Sequence, residues 1–248
     1  MSDFFLFVAV GFAAQLIDGA IGMAYGLAST SVLLGLGFPP VTASASVHAA
    51  EVFTTGASAL SHWRFGNVQW RMVVRLAVPG AIGGFCGALF LSEVDGDRIH
   101  PFVAIYLAVM GLWIVAKATF LRKNSDHAEP RMLSALGLTG GFLDSIGGGG
   151  WGPLVTSSLI GQGGAARTAI GSSNASEFLV TLAISGTFLL TVGLELWPII
   201  LGLILGGVLA APLAALVVKH MPDRPMMLMV GMLITLLSVR ELAHVFGF

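Results

Sequence analysis

Long apolar segments alternate with short polar ones along the whole sequence. Runs of about 18 or more apolar residues are typical of helices that cross a membrane. Breaks in the hydropathy place the predicted spans at 4–24, 25–38 continuing toward 61, 72–91, 101–121, 133–160, 169–191, 196–218 and 226–246. The pattern predicts an all-α polytopic membrane protein with about eight transmembrane segments.

The first apolar segment is too long for a single crossing. From Phe4 to Phe38 it has about 35 residues, whereas one span needs about 20. The helix is therefore either broken within the membrane or re-enters on the side from which it came. If each half crosses four times, eight of the 12 basic residues share a side with the termini, which favours cytoplasmic termini. An odd number of crossings would instead invert the second half.

The two halves of the chain repeat each other. A shift of 126 residues superposes scarce acidic residues, among them Asp18 on Asp144 and Glu51 on Glu177. Because the chain has only 13 acidic residues, these coincidences indicate two homologous four-segment repeats with broken helices. Many secondary transporters use such repeats to build a site between their halves, near the bilayer midplane. The predicted units are a first repeat, a charged linker and a second repeat, at 1–121, 122–132 and 133–248.

Composition narrows the possible functions. Of the 248 residues, 56% are hydrophobic and only 10% are charged, and the mean hydropathy is +0.89. Too few charges remain to cover a water-facing surface, so the partner is the lipid bilayer. A net charge of −1 without long Lys or Arg runs excludes nucleic-acid binding. The single cysteine, Cys86, excludes intrachain disulfides and cysteine-clustered metal sites, and we expect neither a metal nor a cofactor.

Two aspartates directly precede glycine-rich stretches inside apolar segments. An ionisable group at the bilayer centre costs at least about 2.5 kcal/mol, so each one requires an explanation. Asp18 and Asp144 could cap a half-helix by accepting backbone N–H groups, or they could take part in function directly. The sequence leaves both alternatives open.

Two glutamates also lie inside apolar segments. Glu51 and Glu177 each come three residues after a polar side chain, His48 or Asn174, and so share a helical face with it. Burial disfavours the ionised carboxyl, so a glutamate there could bind and release a proton. This suggests proton coupling through Glu51, Glu177 and His48. The alternative is a permanently protonated glutamate that bridges helices.

Glycine-rich stretches at 19–26 and 147–153 predict a break in the first segment of each half. Non-helical backbone within a membrane is tolerated only where protein buries it or a wet cavity meets it. A helix that restarts there presents free N–H groups, which favour an anion. Alternatively, the glycines only permit close helix packing, and the two aromatic residues pack in the core rather than line a pathway. The candidate substrate-binding residues are Gly22, Tyr25, Gly26, Ser29, Thr30, Gly148, Gly149, Gly150, Trp151, Thr156, Ser157 and Asn174.

These features together resemble the sulfite exporter TauE/SafE family from about residue 5 to 245. The resemblance rests on the two halves, on an aspartate followed by glycines, on an aromatic residue before Gly26 or Gly152, and on a small-residue segment that bears a glutamate. It implies a multi-pass permease of the bacterial inner membrane for small sulfur-containing or organic anions, such as sulfite or sulfonates, often as an exporter. The family's glycine loop followed by proline is kept at Gly148 to Pro153 but not in the first half.

The sequence thus predicts a proton-coupled carrier of small anions, with alternating access at the interface of the repeats. An ion channel lined by the glycine breaks is the main alternative. An intramembrane hydrolase that uses Asp18 and Asp144 is a third, although we expect no enzyme activity. Whether the chain forms a homo-oligomer is left open.

Overall fold

A computed structural model describes residues 2–21, 25–120, 132–162, 166–193, 196–217 and 223–246 of the chain. All regular secondary structure in these ranges is helical. The first half contains α1 (Ser2–Ile21), α2 (Tyr25–Gly35), α3 (Pro40–Arg64), α4 (Trp70–Glu93) and α5 (Gly96–Phe120). The second half contains α6 (Leu133–Gly147), a π-helical turn (Gly152–Thr156) that runs into α7 (Ser157–Gly161), α8 (Ala166–Thr191), α9 (Trp197–Val217) and α10 (Asp223–Val245).

The helices have the lengths and hydropathy of a membrane protein. Among the described residues, four segments are long and apolar enough to cross a bilayer: Trp70–Glu93, Arg98–Thr119, Thr168–Thr191 and Met227–His244. Parts of α1 and α9 are shorter apolar helices, and α3 has 25 residues but carries many buried polar side chains. The prediction of an all-α polytopic membrane protein is confirmed.

The chain unwinds where the second glycine-rich stretch was predicted to break a helix. Gly148, Gly149 and Gly150 have φ angles of 64°, 147° and 149°, which side chains other than glycine rarely adopt. The N–H of Gly149 closes the end of α6 by donating to the carbonyl oxygen of Asp144 at 3.0 Å. In the first half, α1 and α2 are likewise separate helices.

The two halves run in opposite directions. Near the start of α8, the Asn174 side chain donates to Ser58, near the end of α3, at 2.7 Å. At the other end of this pair, Val192 follows α8 and lines the same cavity as Thr42 at the start of α3. α3 and α8 are therefore antiparallel. Because the repeat makes them counterparts, the second half is inverted relative to the first.

The first segment of each half re-enters. α4 is parallel to α8, because Gln69 contacts Ser172 at their starts and Ser92 contacts Thr191 at their ends. α6 also runs parallel to α4, since Gly137 abuts the backbone of Leu76 while the later Ser145 side chain lies against Gly87. α6 and α8 thus run in the same direction, so the short α7 must return between them. The internal repeat extends this arrangement to the first half, so that each half consists of a re-entrant pair and three crossing helices.

Inversion changes the expected orientation in the membrane. With three crossings per half, both termini lie at the face where α3 begins. The opposite face carries six basic residues in described helices, whereas the face of the termini carries Arg98 and Arg240. Basic residues concentrate on the cytoplasmic side. Cytoplasmic termini, which assumed four crossings per half, are therefore not supported. The six basic residues are Arg64, Arg71, Arg75, Lys117, Arg167 and Arg224.

We expect the α8–α9 turn to face outward and the α3–α4 turn to face the cytoplasm. In a chain whose native Cys86 is replaced by alanine, V192C should react with a membrane-impermeant thiol reagent in intact spheroplasts. Q69C, also on an exposed turn residue, should react only after the cells are permeabilised. The reverse pattern would place the termini in the cytoplasm.

Candidate functional site

Each helix break is capped by an aspartate. The N–H of Tyr25, at the start of α2, donates to Oδ1 of Asp18 at 3.3 Å. In the repeat-related position, the N–H of Trp151 donates to Oδ1 of Asp144 at 2.9 Å. The carboxylates thus satisfy donors that a helix start leaves unpaired, which is the capping alternative of the two that the sequence left open.

The two breaks meet inside the protein. A Cβ placed on Gly26 would lie 2.7 Å from Cα of Gly149, so the two backbones touch. The hydroxyl of Thr30 donates to the carbonyl oxygen of Gly148, and the hydroxyl of Tyr106 donates to that of Gly149 at 3.1 Å. The first half therefore supplies the hydrogen-bond partners that the unwound backbone of the second half requires.

A small cavity lies where the breaks meet. Its volume is about 10 Å³, which is close to the space that one water molecule needs. Both halves contribute carboxyl groups to its wall, and a sulfite ion does not fit without an expansion. The residues that line it are Asp18, Tyr25, Gly26, Leu27, Glu51, Thr55, Gly150, Gly152, Pro153 and Glu177.

A buried histidine connects this cavity to the second break. His48 Nδ1 lies 2.8 Å from the carbonyl oxygen of Ser44, which can only accept, so Nδ1 carries a hydrogen. His48 Nε2 lies 3.2 Å from Oδ2 of Asp144 and 3.9 Å from Oε2 of Glu51. The contact with Asp144 is a hydrogen bond only if the imidazole is charged or the carboxyl is neutral. The contact joins α3 of the first half to the break of the second half.

The corresponding position in the second half is different. Asn174 occupies the place of His48 in the repeat, and it binds Ser58 on α3 rather than a capping aspartate. Glu177 nevertheless lines the same cavity as Glu51. The two glutamates thus come together as the repeat implies, whereas the histidine–aspartate contact exists in one half only.

Two other predicted site residues, Ser29 and Trp151, are buried but differ in their hydrogen bonding. Ser29 is buried, and its hydroxyl has no hydrogen-bond partner among the described residues. Trp151 is fully buried and donates from its indole N–H to the Ser173 hydroxyl at 3.1 Å, which Thr156 also contacts. The tryptophan thus packs in the core, whereas Tyr25 lines the cavity. Gly22 and residues 122–131 of the predicted linker lie outside the described residues.

Some contacts at the site had no signal in the sequence. Lys117 lies within α5, and its ammonium group donates to the hydroxyl of Ser157 on α7. The predicted span 101–121 contains it near the end of an apolar run, and that position gave no indication of its partner. Tyr106 and Thr55 carry no local motif, and only the fold brings them to the breaks.

An all-α fold with two inverted repeats, whose helix breaks meet at a buried cavity lined by carboxyl groups, defines a multi-pass membrane transporter. The comparison with known proteins agrees. The chain matches the Sulfite exporter TauE/SafE family over residues 7–240, which is nearly its whole length. It belongs to this family.

Named relatives support the same class. YtnM of Bacillus subtilis (strain 168), a probable membrane transporter protein, is 40% identical over 252 residues, which cover 98% of this chain and 84% of the relative. A probable membrane transporter protein of Xylella fastidiosa (strain Temecula1 / ATCC 700964) is 27% identical over 232 residues, 87% of this chain and 85% of its own. YdhB of B. subtilis, with the same description, is 30% identical over 163 residues, 62% of this chain and 66% of the relative.

We expect Gly26→Ala to separate the two breaks. The added methyl group would lie 2.7 Å from Gly149 and 2.8 Å from Oε1 of Glu51. Overpacking of this kind costs about 1–3 kcal/mol, so the melting temperature of the purified protein should fall. The control is Gly35→Ala on the same helix, where the nearest atom of Leu237 is 3.8 Å away. Equal melting temperatures for the two variants would contradict the close approach of the breaks.

Proposed function

We propose that the protein is a proton-coupled secondary transporter of small sulfur-containing or organic anions, such as sulfite or sulfonates, which works by alternating access at the interface of its halves. The family and its relatives support transport, and the family name supports sulfite. The observation that carries the proposal is the cavity at the meeting point of the breaks, to which both repeats contribute.

The walls of the cavity support proton coupling. Asp18, Glu51 and Glu177 line it, and none of the described residues in its lining is a lysine or an arginine. Two like charges 4 Å apart repel each other by about 4 kcal/mol at an effective dielectric constant of about 20. An anion therefore binds well only when the glutamates are neutral. By linkage, anion binding then raises the affinity for protons by the same factor.

This coupling is compatible with export. A dianion that moves with one proton carries one net negative charge. A membrane potential that is negative inside drives this charge outward, by about 2.3 kcal/mol per 100 mV. Protonation of the site thus lowers the repulsion around the substrate without abolishing the electrical driving force.

Backbone groups supply the attraction. Gly26 and Leu27, at the start of α2, line the cavity together with Gly150 and Gly152 of the second break. The N–H groups and dipole of a helix start favour negative charge. Ser29, further along α2, is buried without a hydrogen-bond partner among the described residues, but it is not one of the residues that line the cavity. Neutral backbone donors bind an anion without the permanent charge that would oppose its release.

The size of the cavity favours a carrier over a channel. Room for about one water molecule requires the site to expand around each substrate ion. A carrier of this kind saturates and shows counterflow in proteoliposomes. Steady electrical conduction without saturation would instead support a channel lined by the glycine breaks.

We expect anions to stabilise the purified protein. A ligand that binds only the folded state adds about 2.7 kcal/mol at 100 times its dissociation constant, which raises the melting temperature. Methanesulfonate, whose charge does not change between pH 5 and pH 8, should stabilise more at the lower pH because a larger fraction of the glutamates is then neutral. Sulfite and sulfoacetate are compared at each pH, with sodium chloride as the control. Stabilisation by sodium ions but by none of the anions would reverse the substrate class.

We expect Glu51→Gln and Glu177→Gln to flatten this pH dependence. An ionised carboxylate weakens anion binding as the pH rises through its titration, whereas an uncharged amide does not. Anion binding should therefore persist in the variants at high pH, and anion-driven proton uptake into proteoliposomes should fall. Glu93→Gln, at the exposed end of α4, is the matched control and should behave like the parent. An unchanged pH profile in both cavity variants would exclude proton coupling through these residues.

A further inference from the structure

We propose that two repeat-related turns are the gates of the transport pathway and close alternately. The inner gate consists of the α3–α4 turn (Asn67, Gln69) and the start of α8 (Gly171, Ser172). The outer gate consists of the α8–α9 turn (Val192, Gly193, Leu196) and the start of α3 (Ala45, Ser46). This inference rests on the proposed transport function, because it assigns the substrate's entry and exit to these two places.

The inner gate is closed. The backbone N–H of Gln69 donates to the hydroxyl of Ser172 at 2.9 Å. One residue earlier on α8, a Cβ added to Gly171 would lie 2.5 Å from the carbonyl oxygen of Asn67. The turn therefore lies directly on the helix, at a distance that only glycine permits. Below it, Ala175 packs against Val73 and Ala77 in a small apolar cluster.

The outer gate is open. A cavity of about 270 Å³ separates the α8–α9 turn from the start of α3. This volume holds several water molecules and exceeds that of the central cavity many times. Besides the gate residues, its lining contains the hydroxyl-bearing Thr42. Ser46 is five residues before Glu51, about 7.5 Å along α3, so this helix runs from the outer cavity to the central one.

The two gates are built from equivalent parts. The repeat relates Ser46 to Ser172 by a shift of 126 residues. After α3 and α8, equivalent residues are 127 positions apart. Gly66 follows α3 and Gly193 follows α8, and their φ angles are 70° and 74°. Gln69 and Leu196 then precede the starts of α4 and α9. The same set of residues is thus seen in a closed state at one end of the molecule and in an open state at the other.

The positions of the gates fit alternating access. α3 and α8 are antiparallel, and the 25 residues of α3 extend about 37 Å, so the gates lie at opposite faces of the membrane. When the outer gate closes, Ser46 accepts from the N–H of Leu196, as Ser172 accepts from Gln69 in the closed inner gate. An exchange of these two contacts exposes the central cavity to the opposite side.

The gates differ at one position, which biases the equilibrium between the states. Ala45 stands in the outer gate where Gly171 stands in the inner gate. The methyl group of Ala45 keeps its turn from approaching as closely as Asn67 approaches Gly171. The state with the inner gate closed is therefore favoured.

Thiol labelling tests this proposal without any substrate. In a chain with Cys86 replaced by alanine, T42C reports the outer cavity and A175C reports the buried cluster under the inner gate. The rate of reaction with a small methanethiosulfonate reagent is measured on purified protein in detergent, where the reagent reaches both faces. T42C should react rapidly and A175C slowly. Gly171→Ala, which pushes the inner turn away, should then raise the A175C rate and lower the T42C rate, each by at least about fivefold.

Control variants distinguish a movement of the gates from a general loosening of the protein. Gly186→Ala lies on the same helix with nothing within 4 Å of the added methyl group, and it should change neither rate. Where Gly171→Ala does not fold, Ser172→Ala removes the closing hydrogen bond without adding volume and should shift both rates in the same directions. Ala45→Gly, in the outer gate, should also lower the T42C rate.

Opposed changes of the two rates support the proposal. A rise in both rates in Gly171→Ala would show a loosened protein and overturn it, as would no change in either rate or slow labelling of T42C in the parent. These outcomes are independent of the anion-binding measurements. A failure of the gates therefore leaves the transport proposal in place, and a failure of anion binding leaves the gates to be judged on labelling alone.

Discussion

The lack of water in the hydrocarbon core is the constraint on which this structure depends. Each unpaired backbone group there costs several kcal/mol, so a helix can be interrupted only where other groups replace its lost hydrogen bonds. Asp18 and Asp144 accept hydrogen bonds from backbone N–H groups of the restarted helices. Thr30 and Tyr106 donate to carbonyl oxygens of the unwound backbone. The surrounding helices direct their polar side chains inward for this reason, and the protein's outer surface is left to apolar residues that suit lipid.

The same constraint connects structure to chemistry. The carboxyl groups of Glu51 and Asp144 are buried close to the place where the two breaks meet. The contact between His48 and Asp144 joins α3 of one half to the break of the other half. A movement of one half relative to the other would therefore change this contact.

The features that could be predicted are those that rest on the hydropathy pattern or on the internal repeat. The duplication indicated that Asp18 is the counterpart of Asp144, and hydropathy indicated the helices. Direction was not predictable, because an apolar run has the same composition whether it crosses or returns. The contact between His48 and Asp144 joins residues 96 positions apart and has no local spacing to reveal it. Lys117 was assigned to the edge of a span, although its partner, Ser157, is on another helix.

The inverted arrangement of the halves also bears on the origin of the protein. One pattern of helices inserts into the bilayer in both directions, so a half-length precursor that inserted either way could have assembled with an upturned copy of itself. Gene fusion would then have fixed one copy in each direction. The arginines of the first half support later divergence, because Arg64 and Arg71 have Leu190 and Pro198 at their equivalent positions. Unequal charge now favours one orientation of a chain whose two halves share one pattern of helices.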